Sequence, residues 1–150
     1  MEPIYPLIST SVKGPLGIVH LPRLWLKILL HACGRLPEGY RHGSGGFDQM
    51  TCEDLGIDEA AFVAHIESAK PGYLQLEAWV REHATKIDPA SIEAHNEKFL
   101  NWRIREDLAS ERRARFHIAD PNFGHGITLN DLDDWDLAHA QLVASKVGTA

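Results

Sequence analysis

Residues 17–58, GIVHLPRLWLKILLHACGRLPEGYRHGSGGFDQMTCEDLGID, decide how this chain is read. Pro22 suits the start of a helix, where its missing N–H is no loss. Gly34 follows the last apolar residue and suits the helix end. Between them Leu24, Trp25, Ile28, Leu29 and Ala32 recur at helical spacing, which defines one apolar face. Leu26, Leu30 and Cys33 cover a second side. The polar positions are Arg23, Lys27 and His31, and His20 continues their line if the first turn reaches back. A helix this apolar is buried on most sides. Its narrow basic stripe is therefore either a solvated strip or the cationic wall of a pocket. Arg23 and Lys27 repel weakly at that spacing, whereas burying either without a partner costs far more. Compensating anions are expected from Asp48, Glu53 or Asp54, or from a bound ligand.

The loop that follows contains Gly34, Gly39, Gly43, Gly45 and Gly46, with Tyr40, Arg41 and His42 among them. Glycines allow positive φ and close backbone approach, so such a loop can fold over a ligand. It lacks the G-x-x-x-x-G-K-[ST] order and follows no strand, which argues against a nucleotide phosphate loop. Asp48 reads as the N-cap of a short helix ending at Gly56. Its alternative role is a carboxylate facing the basic stripe.

The segments HLPRLWLK, PEGYRH, GFDQ and LGID occur here in that order. In this the chain resembles a bacterial family known as domain of unknown function 5069. That family reads roughly Leu-Pro-Arg-Leu-Ile-Asp-Lys, then Gly-Glu-Tyr-x-Tyr, Cys-Pro-Leu-Asp and Leu-Gly-Ile-Asp. The match falls on Pro22, Arg23, Lys27, Tyr40, Asp48, Gly56 and Asp58. It extends through LEAWVRE (76–82), the Asn96 region and Asp134-Trp135-Asp136-Leu137. Departures are Leu26 for the family's acid, a missing cysteine before the Leu-Asp step, and His42 near its second loop tyrosine. The resemblance implies a shared fold class and a shared pocket, and brings no activity with it.

The rest of the chain agrees with a helical reading. Asp58 caps a helix of about 59–69, with Phe62, Val63, Ile66 and Ala69 inward and His65 beside them as a packing residue. After Pro71-Gly72, a helix near 73–84 places Leu76, Trp79, Val80 and His83 on one face, with Glu77 and Arg81 as an outer i, i+4 pair. Asp88-Pro89 starts another, whose pattern runs to about residue 117 and ends in a charged, ion-paired face. In 119–130, a Pro/Gly loop, His125 is either an exposed turn residue or a group presented to a pocket. Thr128 or Asn130 then caps a last helix with four aspartates in its first turn. Residues 1–16 form an irregular arm, and the tail 145–150 frays. The expected architecture is all-α: a compact single domain of five to six helices with two Gly-rich loops.

Composition narrows function by exclusion. The chain has 150 residues, 44% of them hydrophobic and 24% charged, as in a soluble globular protein. Its net charge of −6 argues against non-specific nucleic-acid binding. No stretch is long and apolar enough to span a membrane, and the N-terminus has no signal-peptide pattern. Cys33 and Cys52 read as reduced, buried thiols of a cytoplasmic protein. No zinc-protease, calcium-loop or G-x-S-x-G pattern is present. A metal held by His20, His42 and Asp48 is the lesser reading, so no cofactor is expected.

What remains is acid–base chemistry in a cofactor-free pocket. Arg23, Lys27 and Trp25 would hold a small anionic or carbonyl-bearing molecule. His20 or His42 would move a proton, Asp48 would orient the histidine, and Tyr40 would donate a hydrogen bond. That describes a small lyase, isomerase or hydrolase. The competing class is a non-catalytic small-ligand or protein-binding helical module, with the tryptophans as core or interface anchors. A homodimer stays open in either case.

Overall fold

The computed structural model describes residues 2–145. Among them are seven α-helices and no strand, with two isolated bridges at Lys13–Val19 and Arg103–His125. The chain divides between Phe99 and Leu100 into two compact units.

The first unit holds α1 (Leu21–Ala32), α2 (Gly46–Leu55), α3 (Glu59–Ala69), α4 (Tyr73–His83) and α5 (Pro89–Leu100), at whose end the division falls. Helix α1 packs on α3 and α4, and α2 packs on α3. Their apolar faces meet in one core that includes Leu21, Leu24, Ile28, Leu55, Phe62, Ile66, Leu76 and Val80. Each such side chain removed from water contributes roughly 1.5–3 kcal/mol. The stop and start signals act locally. Gly34 takes φ 66° after α1, and Gly56 takes φ 65° after α2. Asp58 accepts the Ala61 N–H at 2.9 Å, and Asp88 accepts the Ser91 N–H at 3.0 Å.

The arm before α1 is irregular but pinned. The Ile4 N–H donates to the Arg35 carbonyl, and Arg35 Nε donates to the Glu2 carbonyl. Glu77 corrects the sequence reading. It does pair with Arg81 one turn on, at 4.0 Å, but the carboxylate is buried rather than outside, and it accepts the Leu16 N–H and the Tyr73 hydroxyl, at 2.7 Å for the latter. Burial beside this carboxylate pushes the Tyr73 phenol well above its usual range. Cys33 is also corrected: it is exposed, because α1 ends there and its face no longer meets the core.

The second unit holds α6 (Glu106–Phe116) and α7 (Gly126–Ser145). The count of seven exceeds the expected five to six because the pattern from 89 to 117 is two helices. Residues between them turn their backbone groups to the loop before α7. The Gly126 N–H donates to the Trp102 carbonyl at 2.8 Å, and the Ile104 N–H to the Gly124 carbonyl at 3.1 Å. Helix α7 begins before Thr128, so its aspartates lie beyond the first turn. Asp133 instead pairs with Arg112 at 3.2 Å and with Arg115. His125 is a half-buried turn residue just before α7, and its ring spans the Leu100 carbonyl at 2.7 Å and the Thr128 hydroxyl at 2.8 Å. Residues 146–150 of the tail expected to fray lie outside the described residues.

Candidate functional site: a closed histidine–aspartate–lysine knot

His20 is the residue just before α1, and its backbone sits in the left-handed region at φ 71°. For a residue with a Cβ this conformation costs about 1–2 kcal/mol. The turn aims its ring inward, where it is 1% exposed. The ring Nε2 lies 2.7 Å from Asp48 Oδ1, and Nδ1 lies 3.0 Å from the Thr10 hydroxyl. One protonation pattern satisfies both contacts. A carboxylate only accepts, so Nε2 carries the proton and donates; Nδ1 then accepts from Thr10.

Asp48 collects donors from three segments. Its Oδ1 takes His20, and its Oδ2 takes Lys27 Nζ at 2.7 Å and the Gly43 N–H at 2.9 Å. Asp48 is therefore not the N-cap of α2. The cap is Gly45, and the helix begins at Gly46, so Asp48 lies inside the first turn with its side chain turned to the core. Its alternative role, a carboxylate facing the basic stripe, is the one it plays. Gly43 at φ 73° lets the loop backbone reach the carboxylate, with Val63 close behind.

The electrostatics follow from this geometry. Burial drives the His20 pKa from 6.5 to about 4, against the pull of Asp48 in the other direction. The imidazole is therefore neutral at physiological pH. Burial by itself would raise the Asp48 pKa, but the His20 hydrogen bond and the Lys27 charge outweigh it and hold the carboxyl at about 2.

Arg23 has a different task. Its guanidinium is buried and donates to the Pro6 carbonyl at 2.7 Å, the Ile8 carbonyl at 2.9 Å and the Tyr40 hydroxyl at 2.8 Å. It fastens residues 6–8 of the arm over the start of α1. Tyr40 also meets Tyr5 edge-on.

The structure thus gathers His20, Arg23, Lys27, Tyr40 and Asp48 into one buried region. It leaves out two of the residues expected there. His42 stacks on His31, ring centroids 3.7 Å apart, beside Glu67. Trp25 donates its indole N–H to the Pro71 carbonyl at 2.9 Å and packs edge-on to Tyr73. Among the described residues, no three His, Cys, Asp or Glu side chains come together in a way that could hold a metal ion. The Cys52 thiol is pushed up to about 12 by burial, then by surrounding carboxylates, which makes it a poor nucleophile.

Sequence reasoning missed Thr10, which reaches the ring from ten residues upstream and belongs to no periodic pattern. It also missed a second triplet. His95 of α5 is buried and its Nδ1 lies 2.8 Å from Asp54 Oδ2, while Lys98 Nζ lies 2.5 Å from Asp54 Oδ1. The available signal was a histidine on an apolar stripe with Ile92 and Phe99.

Fold and site together define a helical protein organised around buried Lys–Asp–His contacts. The chain matches the model of the family described as domain of unknown function (DUF5069) over residues 10–136, and it belongs to that family. No curated protein matches it. Among the described residues, no helix is long and apolar enough to cross a membrane.

Proposed function

We propose that this protein is a small-ligand-binding helical module in which the His20–Asp48–Lys27 knot is the structural keystone. One observation carries the reading: both ring nitrogens of His20 and both oxygens of Asp48 already have partners within the chain, behind a surface closed to solvent. A general base needs its lone pair within reach of a substrate proton. Here the Nδ1 lone pair holds the Thr10 hydroxyl. The expected ligand is a small anionic or carbonyl-bearing molecule, and cytoplasmic residence belongs to the same proposal, supported by two unpaired thiols.

A second reading, an acid–base lyase, isomerase or hydrolase, is favoured by one feature. Thr10, His20 and Asp48 form a hydroxyl–imidazole–carboxylate chain, the parts of an activated nucleophile. It requires residues 6–10 to lift away.

Diethylpyrocarbonate labelling read by mass spectrometry separates the two. The module reading expects exposed His31 and His83 to be modified while His20 stays protected, and expects a screen of small carboxylates and phosphates to raise the melting temperature. Labelling of His20 as fast as His31 would overturn it in favour of the acid–base reading.

A further inference from the structure

The second triplet, unlike the first, faces open space. A cavity of about 310 Å³ is lined by Glu53 and Asp54 of α2, by Lys86 before α5, and by Ser91, His95 and Lys98 of α5. That volume is at the small end of ligand pockets.

The lining groups divide into committed and uncommitted ones. Asp54 is committed to Lys98 and His95. His95 Nε2 lies 3.0 Å from the Val19 carbonyl. Both ring nitrogens face acceptors within the chain, so the ring is committed. The Ser91 hydroxyl donates to Asp88 at 2.7 Å, which leaves its oxygen lone pairs as acceptors. The Lys86 ammonium has no side-chain partner among the described residues, although its backbone N–H is fixed on the Leu55 carbonyl. Glu53 spends one oxygen on Gln49 and keeps the other.

The cavity therefore offers unused ammonium donors, from Lys86 and the remaining N–H groups of Lys98, and unused acceptors, on Glu53 and Ser91. We infer that it is a binding site for a small carboxylate that also carries a hydrogen-bond donor, an amino acid or hydroxy acid. The carboxylate meets Lys86 and Lys98, and the amino or hydroxyl group meets Glu53 or the Ser91 oxygen. A ligand with the anion alone leaves Glu53 facing it unpaired; a ligand with the amine alone leaves Lys86 unused. The pair of functions is what the lining selects.

This inference rests on the module reading and names its ligand class and its seat. The test is titration of the isotope-labelled protein, followed by amide chemical shifts, with L-serine and L-lactate, and with acetate and ethanolamine as single-function controls. The expected result is shifts at residues 53–54 and 86–98. L-Serine or L-lactate should bind at least tenfold tighter than either control, and Lys86→Ala should raise that Kd at least tenfold. Lys86 is exposed, so the variant folds; Lys86→Arg should retain most of the affinity. Binding that perturbs other residues and ignores Lys86→Ala overturns this site but leaves the module reading intact. Silence from both bifunctional probes overturns the site as well, and the broader anion screen then decides the module reading separately.

Discussion

Helix α2 presents two aspartates, Asp48 and Asp54, and each carries a lysine and a histidine. The pairs have nearly the same lengths: 2.7 Å to His20 and 2.7 Å to Lys27 for Asp48, and 2.8 Å to His95 and 2.5 Å to Lys98 for Asp54. Their surroundings differ. The Asp48 and Lys27 side chains are 2% and 8% exposed; Asp54 and Lys98 are 21% and 38% exposed. The outer face of the histidine differs too, a Thr10 hydroxyl in one case and a Val19 carbonyl in the other. A hydroxyl can donate, so His20 rests neutral; a carbonyl only accepts. The same three residue types thus make a closed clasp at one end of α2 and the wall of an open cavity towards the other.

The largest expected difference is in stability. Asp48→Ala leaves the Lys27 ammonium and the His20 N–H buried without their acceptor, and breaking such a pair costs about 3–5 kcal/mol. Asp54→Ala lets Lys98 return to water, so it should cost only about 1–2 kcal/mol, mostly from His95. Urea denaturation of the two variants measures this directly. Equal losses would mean that burial does not distinguish the triplets.

Acid should act on the closed triplet next. His20 has its folded pKa lowered from 6.5 to about 4, so the unfolded chain takes up a proton that the folded one refuses. Its neutral form is fully compatible with folding above pH 6.5. Stability is then lost as pH falls from 6.5 towards 4, by about 3 kcal/mol in all. Asp48 has the same sign in a lower window, its contribution being lost between pH 3.8 and about 2. Unfolding free energies measured from pH 7 to 4 should show the slope, and a folded His20→Gln variant should flatten it. A slope unchanged in that variant would place the titration elsewhere.

Thr10→Val probes the smallest difference. The isosteric methyl cannot donate to Nδ1, leaving a buried acceptor unpaired at a cost of about 1–2 kcal/mol. The same variant should raise the diethylpyrocarbonate reactivity of His20 and leave the cavity beside Lys86 unaffected. A Thr10→Val protein as stable as the parent would show that the hydroxyl is dispensable and that Asp48 alone fixes the ring.

How much of this was legible follows from how local each cause is. The body of α1, the caps at Asp58 and Asp88 and the stops at Gly34 and Gly56 depend on neighbours within a turn, and periodicity exposes them. The Lys27–Asp48 pair was legible as an electrostatic need, because a cation on an apolar helix requires an anion; Arg23 is met instead by the Pro6 and Ile8 carbonyls and the Tyr40 hydroxyl, which no charge argument points to. The assignment of Asp48 as a cap misled, because a Gly-rich loop before an acid resembles a helix start wherever the helix begins. The gap between α5 and α6 contains neither Gly nor Pro, since the cause is a backbone pairing with residues 124–126. Thr10, Glu77 and the His95 triplet act across long sequence separations, which no window reports.

The backbone at position 20 would be most at ease with glycine, which adopts φ 71° without strain. Glycine there would empty the space between Thr10 and Asp48 and leave both without the group they hold. Most other side chains keep the strain, and only one with a donor and an acceptor on opposite sides of a flat ring repeats the contacts. Conformational ease and chemical role point to different residues at this position. Its tolerance to replacement should therefore be narrower than its place at the edge of a helix implies, with asparagine, at home in the left-handed region but too short to span the gap, the nearest compromise.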